Sequence, residues 1–564
     1  MGDLQVQQHA RRGGRRRWSL VASLAVVAGL LAAGCGGGSD DGDGSSSPEE
    51  SGEASGPTYG GDLVYALEAE TSGGWCVPEA QLAISGIMVA WSVYDFLVVP
   101  DDEGGFSPYL AESVEPNPEA TEFTITLRDG ITFHDGSALD ATVVKNNIDA
   151  WLGRYPGRTA LLLPVILAQV DAVEVVDDLT LTISTKIPWP AFPLYLYSGG
   201  RLGIMAQAQL DDAETCDRNL IGTGPYKFED WQVNDYLKVV RNDDYWATDA
   251  EGNQLPYLDS LEFRPVPDAQ TRVNGLLGGE YDIAMASSAT ATETLEAEAD
   301  AGTVDLVQST VNTEVVFTMF NEAHPPFDDR EARLAVATAI DRDQYSETVG
   351  LGLFEMASGP YPPGAPGYLE EAGYPEFDLE EAKALVADYE ERTGNDFEFT
   401  YAHSADDDNV RLAQFLQEQW EAAGMTVNLQ SAEQATLINM ALGPDWDTIA
   451  TRNFPGGYPD SNYSWWHTGS PINFGRVADP ELDDLMDRAR SELDEDTALG
   501  LYEETNRTVN EGVHFAWANW VEWTIATRPG IEGILGAQLP NGLDFAGGFT
   551  SGHSTAAIQD PGGG

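Results

Sequence analysis

The sequence predicts a mixed α/β protein built from at least two lobes whose segments interleave along the chain. Three observations lead there. At 564 residues the chain is too long for one hydrophobic core. Strand and helix periodicities alternate irregularly along its length. Beyond the first 58 residues, no internal repeat and no further polar linker divides it.

Composition narrows the function. With 42% hydrophobic and 10% aromatic residues, most of the chain has enough apolar surface to fold. The net charge of −64 is spread along the chain rather than held in a tail. Such a surface repels phosphate polymers and anionic membranes, which weighs against nucleic acid as a partner. It reads first as a hydrated face, and only second as a lure for a cation.

The N-terminus reads as an address. Arg11, Arg12, Arg15, Arg16 and Arg17 precede a 14-residue apolar run from Leu20 to Ala33, too short for the roughly 20 residues of a membrane span. Ala32, Ala33 and Gly34 then lead into Cys35. This pattern resembles a bacterial lipoprotein signal, which implies cleavage after residue 34 and a lipid on Cys35. It departs from the commonest form in placing Leu31 four residues before the cysteine. The arginine pairs fit the twin-arginine export route, but Ser19 stands where that route commonly has Phe, and the general route fits equally. Residues 35–58 lack any large apolar side chain and read as a flexible tether. In an oxidising compartment Cys76 and Cys216, the two cysteines of the body, favour a disulfide over two buried thiols.

The body opens with "GGDLVYALEAE", a strand after paired glycines. "TEFTITLRDGITFHDG" (121–136) predicts two strands around a turn at Asp129-Gly130. "LDATVVKNNIDAWLGRY" (139–155) puts Val143, Val144, Ile148 and Trp151 on one helical face. Residues 171–185 predict a hairpin around Asp177-Asp178, and 328–349 one amphipathic helix with acids at its start. A helix from 409 stops at Gly424 before a strand, and "ELDDLMDRAR" and "LYEETNRTVNE" are the last clear helices.

One stretch tests for a nucleotide enzyme. "IGTGPYKFEDWQVNDYLKVVRNDDYW" (221–246) has glycines at 222 and 224 and Lys227. A phosphate loop requires G-x-x-x-x-G-K-[ST] followed by a helix. Here the spacing is wrong, no hydroxyl follows the lysine, Pro225 removes a backbone donor, and "KVVRNDDYW" is strand-like. The stretch is scaffold, with Gly222 and Gly224 read as turn residues and Tyr226, Trp231, Tyr245 and Trp246 as packing.

The same stretch, taken with its neighbours, resembles the core of the family 5 solute-binding proteins, receptors for peptides, nickel and oligosaccharides in ABC import. "FSPYLAESVEPNPEATEFTITLRDGITFHDGSALDATVV" (106–144), "LPYLDSLEFRPVPDAQTRVNGLLGGEYDI" (255–283), "FNEAHPPFDDREARLAVATAIDRDQ" (320–344), "YPDSNYSWW" and "DPELDDLMDRAR" follow in family order, so the likeness spans about residues 60–530. It implies a two-lobed type II periplasmic-binding-protein fold with a small domain inserted in the first lobe, and a ligand enclosed by hinge closure. The expected layout is signal 1–34, tether 35–58, first lobe 59–99 and 191–308, inserted domain 100–190, second lobe 309–524, and a return to the first lobe over 525–564. The chain is expected to be a monomer working with separate permease and ATPase subunits.

The resemblance also suggests where the ligand sits. In peptide-binding relatives an acid in the late Pro-Asp region meets the peptide ammonium; the matching stretch is "TRNFPGGYPDSNYSWWHTGSPINFG" (451–475). Asp460 follows Pro459 as in the family, but the ammonium-binding acid lies a few residues upstream, where this chain has Gly456 and Gly457. That departure points to a longer or blocked peptide, or to a ligand without an ammonium. Candidate ligand residues are Trp75, Arg452, Asn453, Tyr458, Asp460, Trp465 and Trp466. Indoles in a wet cleft suit sugar faces or apolar side chains, so an oligosaccharide is the second reading. Against each stands a packing or turn role, and the adjacent Trp465 and Trp466 are not expected to face the cleft together.

Catalysis and metals have little behind them. No G-x-S-x-G elbow occurs, and a glycosidase-like carboxylate pair has only the abundance of acids in its favour. No histidines stand at i, i+4 as a helical zinc site requires, and no cofactor is expected.

Overall fold

The computed structural model describes residues 56–71, 73–80, 82–102, 105–309, 313–453, 457–546 and 552–562. The signal, Cys35, nearly all of the tether and Gly456 lie outside the described residues. Two large sheets organise the body. The first orders seven strands as Asp305–Ser309, Trp523–Thr527, Ile283–Ala286, Asp62–Leu67, Ser260–Pro265, Tyr236–Arg241 and Tyr226–Gln232. The second orders six as Glu355–Met356, Phe515–Trp520, Val315–Phe320, Thr448–Asn453, Glu398–Ser404 and Thr426–Ala432. A third, antiparallel sheet of Ala111–Pro116, Glu122–Leu127, Thr180–Thr185 and Val170–Val175 forms the small inserted domain.

Central strands are apolar on both faces because both are covered. In Val315–Phe320, the alternate residues Val315, Phe317 and Met319 enter one core with Trp466, Trp517 and Ile449. Phe320, with Val316, faces the opposite core of Phe399, Tyr401 and Trp420. The first lobe's core runs from Tyr65 and Trp91 into Phe123, Ile125 and Trp151 of the inserted domain, so the insertion has no separate core.

Helix starts account for part of the acid surplus. Eight of the described helices begin at an aspartate whose side chain accepts a backbone N–H, at 140, 268, 329, 341, 378, 406, 479 and 494. Each satisfies an orphan donor and faces the positive helix end. One of them corrects the expectation of a single helix over 328–349. Asp341 accepts from Gln344 N–H and starts a new helix, Arg342–Thr348, after Arg330–Thr338 has ended. The second strand expected after Gly130 is also absent. The Phe133–Gly136 turn closes on itself, Thr132 makes only an isolated bridge to Ala138, and the His134 N–H donates to Gly222 O at 2.9 Å instead.

Residues 226–241 form an antiparallel hairpin at the edge of the first sheet. Gly222 and Gly224 serve close approach rather than turning. A Cβ on Gly222 would lie 2.0 Å from Val93 O, and one on Gly224 2.6 Å from Val93 C. Gly224 N–H donates to that same Val93 O at 3.0 Å. Tyr226 and Tyr245 are buried, and Trp246 Nε1 donates to Asp95.

The chain passes between the large sheets twice. Asp305–Ser309 continues towards Val315–Phe320, and Phe515–Trp520 continues into Trp523–Thr527; these segments pair with each other on both sides. Between the sheets, Val521 N–H donates to Glu314 O at 2.9 Å and Thr313 Oγ1 donates to Val521 O. The two connections between the lobes are thus bonded to each other at Thr313, Glu314 and Val521.

Candidate functional site

The parallel strands of each sheet aim their carboxyl ends at the junction. Asp62–Leu67 runs parallel to Ser260–Pro265 and Ile283–Ala286, and Glu398–Ser404 runs parallel to Thr426–Ala432 and Thr448–Asn453. In open α/β sheets ligands bind beyond such ends. The first residues past the ends in the first lobe are Glu68 and Ser287, and the last two of the second lobe's strand are Arg452 and Asn453.

Arg452 spans the gap. Its Nη2 donates to Glu68 Oε2 at 2.7 Å and its Nη1 to Ser287 Oγ at 3.2 Å. Its Nε lies 3.1 Å from Glu314 Oε2, a charge contact without hydrogen-bond alignment. The guanidinium carbon sits 5.2 Å from the Trp523 ring centroid. Burial disfavours charge on Arg452, but Glu314 and Glu68 outweigh it and hold its pKa above the usual value. Burial also pushes Glu68 up, yet Arg452, Arg272 and the bonds from Arg452 and Ser287 hold it below the usual carboxylate range. Glu314 differs. Burial and the nearby Glu68 raise it more than Arg452 and Arg201 lower it.

Asp460 occupies the 3₁₀ segment Pro459–Asn462 and is 1% exposed. Its carboxylate accepts from Arg490 Nε at 2.8 Å and Tyr502 OH at 3.1 Å, both of the second lobe. From the first lobe's side it accepts Trp189 Nε1 at 2.8 Å and Tyr195 OH at 2.7 Å. Burial raises its pKa, but Arg490 and these donors hold it below the usual range. The acid is saturated by the protein's own groups.

The other expected site residues fall in different places. Trp75 is 2% exposed in the first lobe's core, edge-on to Trp231, beside the disulfide that joins Cys76 to Cys216. Trp466 is 5% exposed and packs on Phe515, while Trp465 is half-buried against Phe474. Tyr458 stands edge-on to Tyr502. Asn453 pairs in register with Val315. Gly457 has φ +74°, a left-handed position that suits glycine. The structure therefore brings Arg452 and Asn453 to the interlobe junction and Asp460 to a second interlobe contact, and buries Trp75 and Trp466 in the lobes. Glu68, Ser287, Glu314, Trp189, Tyr195, Arg490 and Tyr502 were not singled out by sequence; they lie in separate segments with no shared spacing. Among the described residues no group of three His, Cys, Asp or Glu side chains is placed to hold a metal ion, and no helix is long and apolar enough to cross a membrane.

Comparison with known proteins agrees with this geometry. The family model for bacterial extracellular solute-binding proteins, family 5, matches residues 105–475. The oligopeptide-binding protein AppA of Bacillus subtilis is 26% identical over 87% of this chain and 92% of its own. The glutathione-binding protein GsiB of Pectobacterium atrosepticum is 29% identical over 61% of this chain and 64% of its own. Among solved structures, the periplasmic binding protein AgaA of A. tumefaciens R10 in complex with agropinic acid superposes with a TM-score of 0.76 at 26% identity. That superposition covers 88% of this chain and 99% of AgaA. The mixed α/β fold is shared with AgaA, and the family match over residues 105–475 shows that the chain belongs to the bacterial extracellular solute-binding proteins of family 5.

Proposed function

We propose that this chain is a lipid-anchored receptor, held outside the cytoplasm by Cys35, that captures an oligopeptide between its lobes and delivers it to an ABC importer. The observation that carries the capture step is the double crossing beside Thr313–Glu314 and Val521. Two neighbouring connections of opposite chain direction let the lobes rotate while fixing their alignment, as hinge closure requires. On this reading the first lobe is 59–99 and 191–308, the insertion 100–190, the second lobe 309–524, and the last residues return to the first lobe.

The peptide assignment draws on relatives named for oligopeptide and glutathione binding. The ligand region centres on Arg452 and Asn453, with Tyr458 and Trp465 at its margin. Glycines at 456 and 457 replace the acid that would meet a free ammonium, so a longer peptide held along its backbone fits best. The protein binds without turnover, acts as a monomer, and meets its permease in the closed form. Ligand occupancy stabilises that form by mass action.

Native mass spectrometry of the body, residues 58–564, purified without denaturation, tests the assignment. Bound masses spaced by amino-acid residues are expected. A single hexose-spaced mass would overturn the peptide reading. Intact mass of the membrane-extracted protein tests the anchor, which requires loss of residues 1–34 and an acylated Cys35.

A further inference from the structure

Asp460 links the lobes through partners none of which belongs to the two crossing segments. Four of its partners are aromatic or cationic, and all are buried with it. Arg490 Nε meets Oδ1 at 2.8 Å, its Nη2 meets Oδ2 at 3.1 Å, and Tyr502 OH donates to Oδ1 at 3.1 Å. These three groups belong to one lobe, and the acid and arginine neutralise each other. Tyr463 stacks over the Arg490 guanidinium at 3.6 Å. That half is complete by itself and would stay intact with the lobes apart.

The other half comes from the segment that leads out of the inserted domain. Trp189 Nε1 and Tyr195 OH donate to Oδ2 at 2.8 and 2.7 Å. Tyr195 OH also accepts from Arg490 Nη2 at 2.9 Å. Trp189 covers the open face of the guanidinium, 5.0 Å from ring centroid to Cζ. Trp189 is anchored on its own side, and Tyr195 packs against it with ring centroids 4.4 Å apart. Trp189 N–H donates to Ala120 O at 2.8 Å, and Phe192 packs between Trp189 and Phe123. Separating the lobes removes these two donors from a carboxylate and exposes one face of an arginine, and leaves every bond within each lobe unbroken.

We propose that Trp189 and Tyr195 are closure-positioning residues. By seating Asp460 they hold the lobes shut without touching the captured solute, and they set how long it is retained. This rests on the reading of capture by hinge closure. Since hydrogen bonds to charged groups are the stronger kind, losing both donors lowers the closed-to-open ratio by about tenfold or more. Tyr502 donates to the same carboxylate from within its own lobe, so its loss leaves the ratio unchanged.

The test is a distance measurement between nitroxides at Glu174→Cys, on the inserted domain, and Asp496→Cys, on the second lobe, in the full chain carrying Cys35→Ser. Ligand-free protein is compared with protein given a tryptic digest of casein. For Trp189→Phe/Tyr195→Phe, which keeps both rings, a new longer distance in the ligand-free sample and a faster loss of bound peptide are expected. Tyr502→Phe should match the parent. Melting temperatures of all three variants show that each is folded. If the parent responds to the digest but the double variant keeps the parent's ligand-free distances, the proposal alone falls. If neither protein changes distance under any condition, hinge closure fails and takes the proposal with it.

Discussion

Arg452 Nη2 and Glu68 Oε2 lie 2.7 Å apart although 384 residues separate them, and the bond crosses from one lobe to the other. Glu314, just before the strand Val315–Phe320, offers the same guanidinium a second carboxylate. Changing Glu68 to Gln keeps the shape and removes one charge, leaving Arg452 partly satisfied. Both side chains retain some solvent contact, which screens the pair. The expected loss is about 1–2 kcal/mol in urea unfolding. An unchanged midpoint would mean that Glu314 and Ser287 suffice to hold Arg452.

Gly222 makes a sharper prediction. An alanine Cβ would sit 2.0 Å from Val93 O and 2.8 Å from Tyr94 Cδ1, and the backbone oxygen has no rotamer by which to retreat. Gly222→Ala should cost about 3 kcal/mol or more, as overpacking against fixed atoms does. Gly130, at φ +81° with nothing within 4 Å of its Cβ position, bears only the left-handed penalty. Gly130→Ala should cost about 1–2 kcal/mol. Equal melting temperatures for the two variants would refute the close-approach account.

These glycines also mark how far the sequence is legible. Their spacing excluded a phosphate loop, and the neighbouring motifs led to the family. Their neighbour Val93 lies in another segment, and no local pattern points to it. Helices with one strong apolar face, such as Asp407–Ala422, could be read directly. The stretch 328–349 misled because a capping aspartate inside a periodic pattern restarts the helix, and periodicity does not register the break. Arg452 was reachable from its place in the family order. Glu68 was not, because 93 acids give no ground for choosing one. For Asp460 the Pro-Asp-Ser context indicated a turn, which the 3₁₀ segment is. The donors that saturate it converge from three separate segments, and only the fold brings them together.

The disulfide gives a third test. Cys76 and Cys216 close a separation of 140 residues. The chain-entropy model assigns such a loop about 5 kcal/mol of stability. Trp75 N–H donates to Asp217 O at 2.9 Å across the same junction, so part of the geometry persists without the bond. Reductant should lower the denaturation midpoint, and Cys76→Ser should reproduce the shift without reductant. A midpoint indifferent to both would show that the backbone contacts alone hold the loop.

Asp95 predicts a pH dependence of one sign. Its buried carboxylate accepts from Trp246 Nε1 and Thr223 Oγ1 at 2.9 Å and from Tyr245 OH at 3.1 Å, with no cation among these partners. Burial pushes its pKa up to about 6, against the partial relief of those donors. A carboxyl raised on folding binds its proton more tightly in the native state, so stability increases as pH falls from about 6 towards the ordinary value near 4. The contribution is about 3 kcal/mol at full protonation. Asp95→Asn should flatten this slope in urea titrations between pH 4 and 7. A slope retained by the variant would place its origin elsewhere.

His514 predicts the opposite boundary. The buried ring has Nδ1 2.8 Å from Glu322 Oε1 and Nε2 3.3 Å from Asp479 Oδ2. Burial lowers its pKa, but the hydrogen bonds to Asp479 and Glu322 overcome this and raise it, even with Arg333 nearby. Asp479 answers in kind: the bond from His514 and its own helix-capping bonds draw it down to about 2. A histidine raised on folding contributes fully below its ordinary pKa near 6.5 and loses that contribution as pH rises through the folded value. The lowered Asp479 contributes above its ordinary value and loses this as pH falls towards about 2. The pair therefore stabilises a window bounded on both sides, and the alkaline edge belongs to the ring. His514→Gln, which keeps a donor but no charge, should destabilise the protein more at pH 5.5 than at pH 9. Equal losses at both would mean that the ring is neutral across that range and that Glu322 is balanced by Arg333 alone.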